Sequence, residues 1–237
     1  MTPPTWYWSH DIGPDQVESV AGSGTRLIRL SSYGSGHRQR FAALMYMEPN
    51  AERTYLLNLE AAELDSQLRQ AQARPVAITV DASGLQPRFS VVLDAAAGPR
   101  STVHLDRAEA EVRALLDDEH GIADIATYLV AGERRYAVVL EARPGPSWLF
   151  TEVTARRLRF RLFRLGVTLV RLRANLGSER QEFTAVAERS SGVGTTWYAN
   201  LDGDSVAGRL ERHRAYPTDL DAVRDERGVR FTVIMRR

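Results

Sequence analysis

Five recurrences of one short pattern constrain this chain more than anything else in it. An aromatic residue followed by small and β-branched ones appears as Arg40-Phe41-Ala42-Ala43-Leu44, Arg88-Phe89-Ser90-Val91-Val92, Arg135-Tyr136-Ala137-Val138-Val139, Glu182-Phe183-Thr184-Ala185-Val186 and Arg230-Phe231-Thr232-Val233-Ile234. The steps between aromatics are 48, 47, 47 and 48 residues, and an aliphatic (Leu30, Ile78, Ile125, Leu172, Leu220) lies 11 residues before each one. Two β-prone runs joined by a polar or glycine-rich link read as a hairpin, and a constant offset predicts a constant cross-strand register.

Upstream of each hairpin, the pairs Val17 and Ala21, Leu64 and Leu68, Val112 and Leu116, Leu158 and Leu162, and Val206 and Leu210 have the i, i+4 spacing of one helix face. Asp15, Glu60, Thr154 and Asp204 suit the starts of those helices. A further short apolar run precedes each helix, around Trp8, Tyr55, Val103, Trp148 and Trp197. The unit is therefore strand, helix, strand, strand, and units 5–52, 53–99, 100–146, 147–194 and 195–237 form one repeat domain over residues 1–237. Turns at Glu48-Pro49-Asn50, Ala97-Gly98-Pro99, Pro144-Gly145-Pro146 and Ser190-Ser191-Gly192 join them.

The fold class expected from this is α+β, five tandem units of about 47 residues closed into a five-bladed α/β-propeller-like ring with pseudo-fivefold symmetry. In that scheme each Trp or Tyr strand continues the preceding hairpin. The seam closes by pairing Thr5 to Trp8 with Arg230 to Met235, and an open arc is the alternative.

Composition narrows the chemistry. The net charge is +1, so no global field favours nucleic acid or membrane as partner. Cysteine is absent and all 31 basic residues are arginine, which removes disulfides, thiolate metal sites, Cys nucleophiles and lysine catalysis. No run approaches the ~18 apolar residues of a membrane span, and the given start lacks a signal peptide, so a cytoplasmic protein or an excised domain of a secreted one is expected. Charge is uneven: residues 100–146 carry six Arg against nine acids, whereas residues 147–194 carry nine Arg against four Glu.

At Gly24-Thr25-Arg26-Leu27, Tyr33-Gly34, Arg40-Phe41-Ala42, Arg135-Tyr136-Ala137 and Gly145-Pro146-Ser147-Trp148, the chain resembles the tandem repeats found N-terminal to the catalytic domain of polyglycine hydrolases and in many bacterial proteins. The pattern spans nearly the whole chain, with units two and five matching loosely. The resemblance implies a repeat fold and a role in holding or recognising a partner. It does not imply hydrolysis, since those enzymes resemble serine β-lactamases with a Ser-x-x-Lys nucleophile in a separate domain and this chain has no lysine. By architecture alone, five strand and helix units in a ring also resemble penteins, whose commonest catalytic form needs a cysteine.

Candidate ligand-binding residues are Trp6, Trp8, Trp148, Trp197 and Tyr198, as a stacking platform or as core, with His10 and Asp11 at a strand-to-helix turn where acid and base chemistry could sit. Arg156, Arg157, Arg161 and Arg164 on one helix are candidate anion-binding residues. The competing reading pairs that helix with the acidic one before it and buries Phe160 and Phe163 with Leu158, Leu162 and Leu165. No histidines have metal-ligand spacing, no phosphate or dinucleotide fingerprint occurs, and no metal or cofactor is expected. Asp202-Gly203-Asp204 reads as a helix cap. The leading expectation is a non-catalytic recognition or scaffold module for a protein or polysaccharide partner, held by the hairpin tips or a central face. The alternatives are a hydrolase site in unit one and anion or nucleic-acid binding through the basic helix.

Overall fold

The computed structural model describes residues 4–22, 24–48, 53–176, 181–190, 192, 194–213 and 215–236, so the expected turns at 49–50 and 191 lie outside the described residues. Unit one contributes β1 (Trp6–Ile12), α1 (Val17–Val20), β2 (Thr25–Tyr33) and β3 (Arg40–Met47). Unit two has β4 (Arg53–Leu59), α2 (Ala61–Gln70), β5 (Arg74–Asp81) and β6 (Arg88–Asp94), and unit three β7 (Ser101–Arg107), α3 (Glu109–Ala114), β8 (His120–Val130) and β9 (Glu133–Ala142). Unit four follows with β10 (Ser147–Val153), α4 (Ala155–Leu165), β11 (Val167–Asn175) and β12 (Glu182–Arg189), and unit five with β13 (Thr195–Leu201), α5 (Gly203–His213), β14 (Tyr216–Asp225) and β15 (Gly228–Arg236).

The order strand, helix, strand, strand and the hairpin register agree with the sequence pattern. Leu30 faces Ala43, Ile78 faces Val91, Ile125 faces Val138, Leu172 faces Ala185 and Leu220 faces Val233, two residues beyond the aromatic each time. Val17, Leu64, Val112, Leu158 and Val206, the first of each helical pair, are all buried.

The expected closed α/β ring is overturned. Strand accounts for 56% of the structure and helix for 21%, in five separate three-stranded antiparallel sheets of which none is closed. The helices do not form an even outer layer: α1 has 4 residues and α3 has 6, against 10 in α2 and 11 in each of α4 and α5. The Trp or Tyr strand does not continue the preceding hairpin. It pairs with the second hairpin strand of its own unit, giving the order β1-β3-β2 and its equivalents. At the expected seam, β1 pairs with β3, while β15 pairs with β13 and β14. The physical reason lies in the aromatic run itself. Residues 41–45 are all buried, as a strand covered on both faces and paired on both sides requires, and that makes this run the middle of each sheet.

The first strand of each unit carries a bulge near its end, where Asp11, Asn58, Asp106, Glu152 and Asn200 take positive φ between 49° and 61°. Asn and Asp tolerate this conformation best, which accounts for four of the five. The arginine before the repeat aromatic answers this position: Arg40 Nε lies 3.6 Å from Asp11, Arg135 Nε 3.9 Å from Asp106, and Arg88 donates to the Asn58 carbonyl at 3.0 Å. No helix of the described residues is long and apolar enough to cross a membrane.

Candidate functional site

Because the aromatic strand is central, the first hairpin strand of every unit is an edge. β2, β5, β8, β11 and β14 pack against one another in that order, and β14 packs against β2. Buried strand edges must find hydrogen-bond partners, and here they find side chains instead of a backbone ladder. The Ser32 amide donates to Thr79 Oγ1 at 2.8 Å, Ile78 to Asp124 Oδ2 at 2.9 Å, Leu172 to Asp219 Oδ2 at 3.0 Å, Ala174 to Asp221 Oδ2 at 3.0 Å and Ala222 to Ser31 Oγ at 2.9 Å. Between units three and four the polarity reverses. There Arg171 Nε donates to the Ala123 carbonyl at 2.7 Å and Arg173 Nε to the Ile125 carbonyl at 2.8 Å.

A bulge at Ile28, Val76, Ala123, Val170 and Thr218 turns the following residues inward. Two rows result, flanking the repeat aliphatic on either side: Arg29, Ala77, Asp124, Arg171 and Asp219, then Ser31, Thr79, Ala126, Arg173 and Asp221. Arg173 sits at the heart of them. Its Nη1 donates to Asp219 Oδ2 at 2.7 Å and to the Leu172 carbonyl, while Nη2 donates to Asp124 Oδ1 and to Asp219 Oδ1 at 3.2 Å. With Nε on Ile125, all five of its N–H groups are used.

Burial alone would raise the Asp219 carboxyl, but the guanidiniums of Arg173, Arg171 and Arg29 outweigh it and hold it below the usual range. Burial likewise lowers Arg173, yet Asp219, Asp124 and Asp221 more than reverse this and its pKa rises. Burial and the neighbouring Arg29 bring Arg171 down to about 10. Asp221 stands apart from the ion pairs. Its partners are Ser31 Oγ at 2.9 Å and the Ala174 amide, and burial outweighs them and the Arg173 charge, raising it to about 6.

Above the second row the five strands end around a cavity of about 430 Å³. Ser31, Thr79, Ala126, Arg173 and Asp221 reach it from below, Tyr33 and Tyr128 stand in its wall, and Arg134 and Arg224 lie at its rim. The tyrosines are fixed by the bulges, since the amides of Asp11 and Asp106 donate to their hydroxyls at 2.7 and 3.1 Å. Burial raises both, Tyr128 to about 12, so they act as neutral hydroxyls. Ser31 Oγ donates to Asp221 and accepts from Ala222, which leaves it locked in place.

The sequence matches no protein-family model and no curated protein.

None of the eleven candidate residues singled out from sequence lines the central cavity. Trp6, Trp8 and Tyr198 pack on a core shared by units five and one, where His10 stacks on Trp8 with ring centroids 5.1 Å apart. Trp148 and Trp197 pack on the core of unit four. Asp11 faces Arg40, so His10 and Asp11 are held by different partners. Asp202 caps α5 by accepting the Ser205 amide at 2.8 Å.

Arg156, Arg157, Arg161 and Arg164 surround a shallow groove with Trp148 and Phe160. Phe160 is 62% exposed and Phe163 87% exposed, which overturns the expectation that they belong to a buried face; only Leu158 of α4 is fully covered. The expected pairing between helices is also overturned. The acids of unit three pair locally, Glu109 with Arg113 and Glu111 with Arg107, and among the described residues no ion pair joins them to the arginines of α4.

The central residues had a signal in the sequence. Aligned on the repeat aliphatic, the units read Arg29-Leu30-Ser31, Ala77-Ile78-Thr79, Asp124-Ile125-Ala126, Arg171-Leu172-Arg173 and Asp219-Leu220-Asp221. Charged residues of opposite sign in one column of a buried β run are costly unless they meet.

Proposed function

We propose that this chain is a non-catalytic recognition module whose ligand enters the central cavity between the hairpin tips. The observation that carries this is the cavity's construction. A volume of about 430 Å³ falls in the range of small-ligand sites, and its lining comes from all five units. The rows beneath it are held by hydrogen bonds between units, so the site is preformed and little ordering is needed on binding. The repeats this chain resembles accompany a catalytic domain elsewhere, which suits an accessory recognition role.

A protein segment is the partner we favour over a polysaccharide. The lining mixes both charge signs with aliphatic walls, as a peptide presents, and the wall tyrosines are only 4% and 6% exposed, which leaves no broad stacking face. The test is a peptide and glycan array on the wild-type chain and on Ala82→Trp, which fills the cavity rim. Hits that disappear in the variant support the proposal; hits that survive it place the site elsewhere.

A second reading rests on α4, whose arginines at 156, 157, 161 and 164 lie beside exposed aromatics without an ion-pair partner among the described residues. It makes this helix an anion-binding surface. Its affinity for a polyanion such as heparin would fall steeply with salt, and salt-insensitive binding would remove it.

A further inference from the structure

Of the charged groups lining the central cavity, most are already committed. Arg173 has no free N–H group. Asp81 accepts from the amide and hydroxyl of Ser83. Arg134 donates to Thr127 Oγ1 at 3.1 Å and to the Leu176 carbonyl, and its Nε lies 3.6 Å from Glu152. Two groups remain, one of each sign.

Asp221 is 8% exposed at the bottom of the cavity, and among the described residues no arginine reaches ion-pair distance of it. Each of its oxygens accepts one hydrogen bond and keeps a lone pair. Arg224 is exposed at the rim, its guanidinium 5.8 Å from the centroid of the Tyr33 ring, with no carboxylate partner among the described residues. Both belong to β14 with no bulge between them, three residues and about 10 Å apart at ~3.3 Å per residue. The odd spacing sends Asp221 to the central rows and Arg224 to the other face of the strand, where its guanidinium lies over the Tyr33 ring in the cavity wall.

Resting on the central cavity as the ligand site, we propose that it takes a zwitterion with well-separated charges, its ammonium group seated on Asp221 and its carboxylate on Arg224. A simple anion would meet Asp221 at the bottom, and a simple cation would have to pass Arg224 and Arg134 at the rim. A molecule carrying both charges at its two ends satisfies each group in turn, with its aliphatic middle against the wall formed by Tyr33, Tyr128 and Val223. A short peptide or an ω-amino acid has this form. A compact α-amino acid, with its charges on one carbon, cannot span the two groups. The raised pKa of Asp221 fits a buried carboxylate that lacks its counter-ion.

The test is calorimetric titration with 6-aminohexanoate, alongside hexylamine, hexanoate and 1,6-hexanediol, on the wild-type chain, Asp221→Asn, Arg224→Gln and Ala82→Trp. Saturable 1:1 binding of 6-aminohexanoate, at least tenfold tighter than the three analogues and weakened at least tenfold by Asp221→Asn and by Arg224→Gln, is expected. Arg224 is exposed, so its variant keeps the test valid should Asp221→Asn destabilise the fold. Equal binding of 1,6-hexanediol, or full affinity in Arg224→Gln, would overturn the ligand class. If Ala82→Trp abolishes that residual binding, the cavity stands as the site and only the zwitterion falls. Absence of binding by all four probes, while array hits are lost in Ala82→Trp, likewise removes the zwitterion and keeps the cavity; array hits untouched by Ala82→Trp would remove the cavity as well.

Discussion

Arg173 Nη1 lies 2.7 Å from Asp219 Oδ2, and the two side chains are 7% and 1% exposed. This pair joins unit four to unit five, and Asp219 also receives the Leu172 amide and Arg29 Nε at 3.3 Å. Removing one member leaves buried charge without its partner. Asp219→Ala is therefore expected to cost about 3–5 kcal/mol, read as a lower urea midpoint. Arg69→Ala, which breaks an exposed pair with Asp65 on α2, is expected to cost at most ~0.5 kcal/mol. Similar losses from the two variants would contradict the central role given to Arg173 and Asp219.

The hairpins were legible because their register repeats with a period the eye can align. The aliphatic at a fixed offset from the aromatic is a backbone constraint, and all five units obey it. What the sequence pattern hid was which strand lies in the middle. A chain can join a Trp strand to the preceding hairpin or return it to its own, and local periodicity is the same in both. The central residues escaped for a related reason: Arg171 and Arg173 read as part of a basic unit until Asp124 and Asp219, from other units, are brought against them.

Asp221 supplies a pH test. Its folded pKa is about 6, raised from 3.8, so the folded state holds the proton more tightly than the unfolded chain. Its contribution to stability is complete below the unfolded value and is lost as pH rises through about 6. Asp219, Arg173 and Ser31 surround it, and Asp219 shifts the opposite way, so the comparison must be made against Asp221→Asn. Between pH 7 and pH 5 the wild type should gain roughly 1 kcal/mol over that variant. A constant difference across this window would contradict the buried, unpaired state of Asp221.

Glu152 occupies the left-handed bulge position that Asp or Asn fills in the other units, with φ 49°. Its ion pair with Arg134 is long, at 3.6 Å, and the Glu152 side chain is 62% exposed. Relief of the backbone strain should outweigh that loss, and Glu152→Gly is expected to stabilise the fold by about 0.5 kcal/mol. Glu152→Val should destabilise it by about 1 kcal/mol. Thermal unfolding of the two variants reads the order directly; a more stable valine variant would refute the bulge assignment.

On α4, Leu158 is fully buried while Phe163 is 87% exposed. Leu158→Ala should cost about 2–5 kcal/mol, and Phe163→Ser should stay within ~0.5 kcal/mol of wild type. Comparable losses would return Phe163 to a buried face and remove the exposed aromatic surface from the anion-binding reading.

The measurement that bears most directly on the proposed function is the affinity of an array-identified peptide for wild type, Ala82→Trp and Trp6→Ala. A central site predicts at least a tenfold loss in Ala82→Trp and unchanged affinity in Trp6→Ala. The reverse, with affinity lost in Trp6→Ala and kept in Ala82→Trp, would place recognition on the first strand and contradict the central cavity as the binding site.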